Sequence, residues 1–215
     1  MSERNWPESL QWIEPLGIGY FPCDEYLEVE GIKEVYGKEY YDKYSGYSKT
    51  KQGEDITAYR NRVIAPYLDQ GDFILDFGCG SGQFVNSRAN CYGYDINPAT
   101  VDYLIDIRKY FFIAQPVPGN KRGICFWDSF EHIKDITSLW WLQRFEYAFM
   151  TIPIFTDKKS ILTSKHFRLD EHYWYFTKNG LELIMSGYGF RPYKWDFVGE
   201  TAYGRESVAT VVFGR

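Results

Sequence analysis

Cysteine is scarce in this chain of 215 residues: Cys23, Cys79, Cys91 and Cys125 lie scattered, with no CxxC spacing. That usage argues against a disulfide framework or a cysteine zinc site and for reduced thiols, and no metal site is expected. Long apolar runs are absent too. None approaches the roughly 20 residues needed to span a bilayer, and the opening "MSERNWPESLQW" carries two early acids and no apolar core of a signal or transit peptide. A soluble, cytoplasmic chain without membrane contact is the expectation. Positive charge is in deficit: 24 Lys and Arg against 29 Asp and Glu leave a formal net charge of −5. Such a balance disfavours nucleic acid as a partner. Histidine is limited to His132, His166 and His172.

Aromatic residues are abundant, at 20% of the chain with 19 Tyr and 16 Phe. Side chains of this kind fill cores and line pockets for flat or apolar ligands. Residues 1–55 carry Pro7, Pro15, Pro22 and the tyrosine-dense "VYGKEYYDKYSGYSKTKQGED", which predicts an irregular or short-helical extension ahead of a main domain over 56–215. Tyr36, Tyr40, Tyr41, Tyr44 and Tyr47 in that stretch are candidates for a lid, with Tyr41 and Tyr44 chosen for ligand contact.

Beyond it the pattern alternates. "ITAYRNRVIAPYL" has helical spacing from Ile56, with Pro66 limiting its end. "DFILDFG", "NCYGYDINP", "RGICFWD" and "EYAFMTIPI" read as strands, the last stopped at Pro153. Helices are expected from Pro98, over "FEHIKDITSLWWLQRF" and over "TKNGLELIMSGYG"; "FRPYKWDFV" and "SVATVVFGR" form a closing strand pair. Strands alternating with helices indicate an α/β fold with a mainly parallel sheet and an antiparallel edge insertion.

In open sheets of this class, ligands bind beyond the strand ends where the first strand turns into its helix. Gly78, Gly80 and Gly82 occupy that turn in "ILDFGCGSGQF". Glycines there permit unusual φ values and let a ligand touch the backbone. A dinucleotide fingerprint would need glycine where Gln83 stands, and a P-loop would need a G-K-[ST] ending that does not occur. Asp95, ending the second strand, is placed to accept hydrogen bonds from ribose hydroxyls. A nucleoside without a pyrophosphate fits these residues.

"ILDFGCGSGQF" followed by "GYDINP" resembles motifs I and II of the class I S-adenosylmethionine-dependent methyltransferases. "CFWDSFEHIKD", "TIPI" and "HYWYFTKNGLELIMSGYGF" are similar, in order, to later segments of the type 11 and type 12 subfamily. The resemblance covers roughly residues 56–215. It implies a Rossmann-like, seven-stranded, mostly parallel sheet with an antiparallel last strand, preceded here by the aromatic-rich extension. It also implies S-adenosylmethionine as cofactor. Gly78, Gly80 and Gly82 would wrap the methionine portion, with Cys79 a small packed residue inside the turn and Asp76 near the amino group. Asp95 would take the ribose, and Ile96 and Asn97 would lie by the adenine. Trp127, Asp128 and Ser129 would border the cofactor and acceptor. Two departures stand out: the segment after the glycines leaves room for a first helix of only about two turns, and "YFFIAQPVPGNKRG" offers no acid at the end of a third strand.

The cofactor carries the difficult chemistry, so the protein mainly aligns an acceptor. A base is needed where the nucleophile is a hydroxyl, and His132 and His172 are the candidates. The expected activity is methyl transfer to a small-molecule acceptor, through oxygen, in a monomer or homodimer; a sugar, a phenol or an isoprenoid-linked ring would suit the aromatic flanks. "DSFE" stands where a [DNS]-P-P-[YFW] sequence would act on a DNA base. The alternative is a methyltransferase-like module that binds the cofactor without turnover. An NAD-dependent enzyme is opposed by Gln83.

Overall fold

The computed structural model describes residues 9–21, 37–168 and 171–215, so Tyr36 and Cys23 lie outside the described residues. Its strands are β1 Gln11–Ile13, β2 Ile18–Tyr20, β3 Phe73–Phe77, β4 Cys91–Tyr94, β5 Arg122–Trp127, β6 Tyr147–Phe155, β7 Trp174–Thr177, β8 Arg191–Asp196 and β9 Val208–Gly214. The helices are α1 Lys38–Ser48, α2 Lys51–Ile64, α3 Gln83–Asn86, α4 Pro98–Asp106, α5 Lys158–Leu162 and α6 Lys178–Gly187.

The parallel centre runs β4-β3-β5-β6, and β9 joins β6 antiparallel with β8 outside it. This is the Rossmann-like arrangement implied above, with two changes in strand count among the described residues. The third strand has shrunk to one bridge, Gly93 to Tyr110. Arg108 turns the chain sharply at φ +59 just before it, and Pro116 and Pro118 follow without N–H donors. In compensation, a hairpin of β1 and β2 pairs with β7, which pairs with Ile154 and Phe155 at the end of β6, giving nine strands.

Both faces of the centre are covered, which is why its strands read as continuous apolar runs. Ile74, Cys125, Phe149 and Val212 share one cluster with Ile64, Leu68, Phe84 and Leu104. Leu75, Phe126, Met150 and Phe213 belong to the other, with Leu142, Leu181 and Met185.

Local signals set most helix ends. Thr50 caps α2 by accepting from Gly53 N–H at 3.1 Å, so that helix begins five residues ahead of the expected Ile56. Asn97 caps α4 with Pro98 in its first turn, and Thr177 caps α6. Elsewhere the local reading fails. "FEHIKDITSLWWLQRF" is not an α-helix but three 3-10 turns, Phe130–His132, Ile136–Ser138 and Trp140–Arg144. Asp135 accepts from both Thr137 N–H and Thr137 Oγ1–H, fixing a side-chain turn that competes with helical bonding. Pro153 does not stop β6. The ladder to β5 has already ended at Thr151 and the one to β9 ends at Pro153 itself, so the missing N–H costs little there. α3 is four residues long, shorter than the two turns expected. No helix among the described residues is long and apolar enough to cross a membrane.

Candidate active site

At the end of β3 the chain bends through Gly78, Gly80 and Gly82 at φ +74, +56 and +72. The second strand holds this bend. Asp95 Oδ2 accepts from Gly80 N–H at 2.8 Å, and Thr100 Oγ1–H donates to Gly80 O at 2.6 Å. Asp95 Oδ1 also accepts from Asn97 N–H at 2.8 Å. Burial raises the Asp95 pKa, and these backbone hydrogen bonds oppose the rise.

The three glycines are not equivalent. A Cβ on Gly78 would lie 2.5 Å from Ser129 Cβ, and one on Gly82 would lie 2.9 Å from the Tyr103 ring, whereas one on Gly80 would meet nothing within 4 Å. Gly78→Ala should therefore destabilise the fold by about 2–4 kcal/mol through strain and overlap, while Gly80→Ala carries only the backbone strain of about 1–2 kcal/mol. Thermal denaturation of the two variants checks this order.

The bend opens on a cleft of about 640 Å³, within the usual size of small-molecule sites. Of the residues singled out from sequence, Asp76, Gly78, Cys79, Gly80, Trp127, Asp128, His132, His172 and Tyr44 line it. Gly82, Asp95, Asn97, Ser129 and Tyr41 are not on its wall. Asp95 stands behind Gly80, bonded to its N–H; Ser129 Oγ–H donates to Phe77 O; Tyr41 packs 6.4 Å from Tyr103. Asn97 is buried at 2% exposure, and Ile96 projects outward at 70%. Cys79 is packed toward Gly93, where an added Cβ would lie 2.8 Å from its sulfur. Burial and nearby carboxylates keep its thiol protonated.

Helix α1 brings Tyr40, Tyr44 and Tyr47 to the cleft. It is tied down at both ends: Asn97 Nδ2–H donates to Gly37 O at 3.1 Å, and Gln83 Nε2–H donates to Ser48 O at 2.9 Å. Gln83, which replaces the last glycine of a dinucleotide turn, thus has a structural task.

Asp76 is 1% exposed, and its Oδ1 is buried without a hydrogen-bond partner. Burial pushes its pKa up to about 7, against the pull of Arg60. Opposite it lies a charge network the sequence did not disclose. Asp128 is ion-paired with both Arg60 and Arg205, and buried Glu200 binds the same two at 3.1 and 2.9 Å while accepting from Thr151 Oγ1–H at 2.9 Å. Burial works against the charge on Asp128, but the two guanidiniums outweigh it and its pKa falls. Arg60 also lies over the Trp127 ring at 4.9 Å. Arg60, Glu200 and Arg205 come from segments up to 145 positions apart, and no local motif marks them.

The histidines converge. His132 and His172 sit edge-to-face with ring centres 4.6 Å apart. Burial lowers both pKa values, that of His172 to about 2, so both rings are neutral at pH 7. His166 also borders the cleft, with Nε2 3.0 Å from Glu206 O. Glu131, beside His132, is buried, and its pKa is pushed up to about 8 by burial and by Asp128.

A family model described as a methyltransferase domain matches residues 49–194. The chain belongs to this methyltransferase family. Its fold is that of the S-adenosylmethionine-dependent methyltransferases. A magnesium protoporphyrin IX methyltransferase from Synechocystis, crystallised with S-adenosylhomocysteine, superposes with a TM-score of 0.61 at 13% identity, covering 86% of this chain and 98% of that one. A S-adenosylmethionine-dependent methyltransferase from Archaeoglobus fulgidus gives 0.57 at 17% identity, covering 82% and 100%. Among curated proteins, an uncharacterized protein of Methanocaldococcus jannaschii is 36% identical over 61 residues, which are 28% of this chain and 24% of that relative. The methyltransferase match thus spans the glycine bend, α1's junction with α2, and both histidines.

Proposed function

We propose that this methyltransferase uses S-adenosylmethionine to methylate an oxygen atom of a small-molecule acceptor. The observation that carries the cofactor is the unpartnered Asp76 Oδ1, buried at the cleft beside Gly80, whose missing Cβ leaves open space. A buried carboxylate oxygen without a donor is costly; the amino group of a methionine moiety supplies both donor and positive charge. The bend fits the same ligand, since Gly80 lets a chain lie against its backbone and Asp95 keeps acceptor capacity after its two backbone bonds.

When bound, S-adenosylmethionine supplies an electrophilic methyl group on its sulfonium. The protein's residues do the remaining work. Asp76 and the glycine bend hold one side, and Tyr44, Tyr47 and Trp127 wall the cleft against water. Neutral His132 can take the proton that an acceptor hydroxyl loses as its oxygen gains the methyl group, whereas burial makes His172 too weak a base for that step and leaves it to orient the His132 ring 4.6 Å away. The oxygen preference rests on the His132 imidazole; the small acceptor rests on the volume of the cleft and the net charge of −5.

The test pairs binding with turnover. Labelled methyl from S-adenosylmethionine should enter a low-molecular-weight compound of a cell extract; label appearing only in protein or nucleic acid would overturn the acceptor class. Affinity for S-adenosylhomocysteine should rise about tenfold from pH 6 to pH 8. The sign follows from Asp76: its free pKa near 7 falls when an ammonium binds, so the bound state holds fewer protons and gains as pH rises. Calorimetry in buffers of different ionisation enthalpy should show the released proton, and Asp76→Asn should abolish it.

A further inference from the structure

The carboxylates around the cleft divide into two groups. Asp128 is ion-paired with Arg60 and Arg205, Glu171 with Arg168, and Glu206 with Lys165. Asp76 and Glu131 have no such cation among the described residues. The cofactor's amino group answers for Asp76. Glu131 remains, 2% exposed, with Oε2 buried and lacking a hydrogen-bond partner. One ligating atom each from Glu131, His132 and His172 lie within 4.8 Å of one another.

We propose that Glu131, His132 and His172 bind one divalent transition-metal cation in the wall of the cleft. A dication answers the charge on a carboxylate that burial otherwise disfavours. One carboxylate oxygen with two imidazole nitrogens is a donor set of open metal sites, where three protein ligands leave positions for water or substrate. Atoms bound about 2.0–2.2 Å from a common ion stand about 3–4 Å apart, so small side-chain rotations close the site. The segments that carry the ligands are already joined: Tyr173 N–H donates to Glu131 O at 2.9 Å, fixing the residue after His172 to the turn that holds Glu131 and His132. The two nearby cations are engaged elsewhere, Arg205 by Asp128 and Glu200 and Arg168 by Glu171 at 2.7 Å.

All three ligands border the cleft, so the open positions face it. What fills them rests on the methyltransferase reading: an oxygen of the acceptor, held and made more acidic by the ion. Such an ion would replace the His132 imidazole as the agent that activates the hydroxyl, and it reverses the sequence-based expectation of a chain without metal.

The full chain, stripped with a chelator, is titrated with Zn²⁺ and separately with Mn²⁺ by calorimetry, and with Co²⁺ by visible absorption. One saturable ion per chain is expected, with ligand-field bands of nitrogen ligation and at least tenfold weaker binding in Glu131→Gln and in His172→Asn. Circular dichroism identifies any variant that fails to fold, and the other then decides. Absence of saturable binding, or affinities within twofold of wild type in a folded variant, overturns the site. S-adenosylhomocysteine binding on the same samples separates the two claims: retained nucleoside binding without an ion sinks only the metal, and an ion without nucleoside binding sinks the cofactor reading instead.

Discussion

Asp95→Ala should weaken S-adenosylhomocysteine binding at least 100-fold, a change of about 3 kcal/mol. The carboxylate holds two backbone donors, Gly80 N–H and Asn97 N–H, each at 2.8 Å. Truncation releases the bend at Gly80 and loosens the turn that starts α4. On the proposed cofactor reading it also removes the lone pairs that a ribose diol would use. Asp95→Asn keeps one carbonyl oxygen and loses the charge, so it should fall between Ala and wild type. Isothermal titration calorimetry measures both; a dissociation constant within threefold of wild type for Asp95→Ala would remove Asp95 from the nucleoside site.

Glu200→Ala should lower stability by about 3–5 kcal/mol, because it breaks a buried ion-pair network from one side. Glu200 has no exposed side-chain surface and binds Arg60, Arg205 and the Thr151 hydroxyl. Without it, two guanidiniums share Asp128 alone, and burial drives against their charge. At roughly 2–4 °C per kcal/mol for a chain of this size, the melting temperature should drop by about 6–20 °C. Glu200→Gln retains the bond from Thr151 and should fall by less. Salt should change the wild-type value little, since buried pairs are weakly screened. A shift below 2 °C for Glu200→Ala would show that the network contributes little.

Contiguous signals were readable from sequence. The strand into Gly78, the acid at Asp95 and the Asn97-Pro98 cap each sit within a few residues of their effect, so short-range chemistry determines them. The alternation of strands and helices gave the parallel centre because its strands are apolar on both faces. The hairpin of β1 and β2 escaped notice because three-residue strands carry no usable periodicity. The stretch from Phe130 to Arg144 misled because its apolar spacing is helical, while Asp135 commits the backbone to a different turn. The site was half legible. His132 and His172 were named without any means of placing them 4.6 Å apart. Arg60, Glu200 and Arg205 were invisible, since residues 140 positions apart in the chain leave no local pattern when they form a hydrogen bond.

The hairpin that escaped notice has a practical bearing on how this methyltransferase can be handled. β2 pairs with β7, and Leu10 and Phe21 pack on Phe155, Ile161 and Tyr175. A recombinant fragment trimmed to the family match at residues 49–194 would lose that cover and β9 as well. It would bare two ribbon edges and their oily undersides, an invitation to aggregate. The segments 10–21 and 208–214 are therefore part of the smallest unit worth expressing.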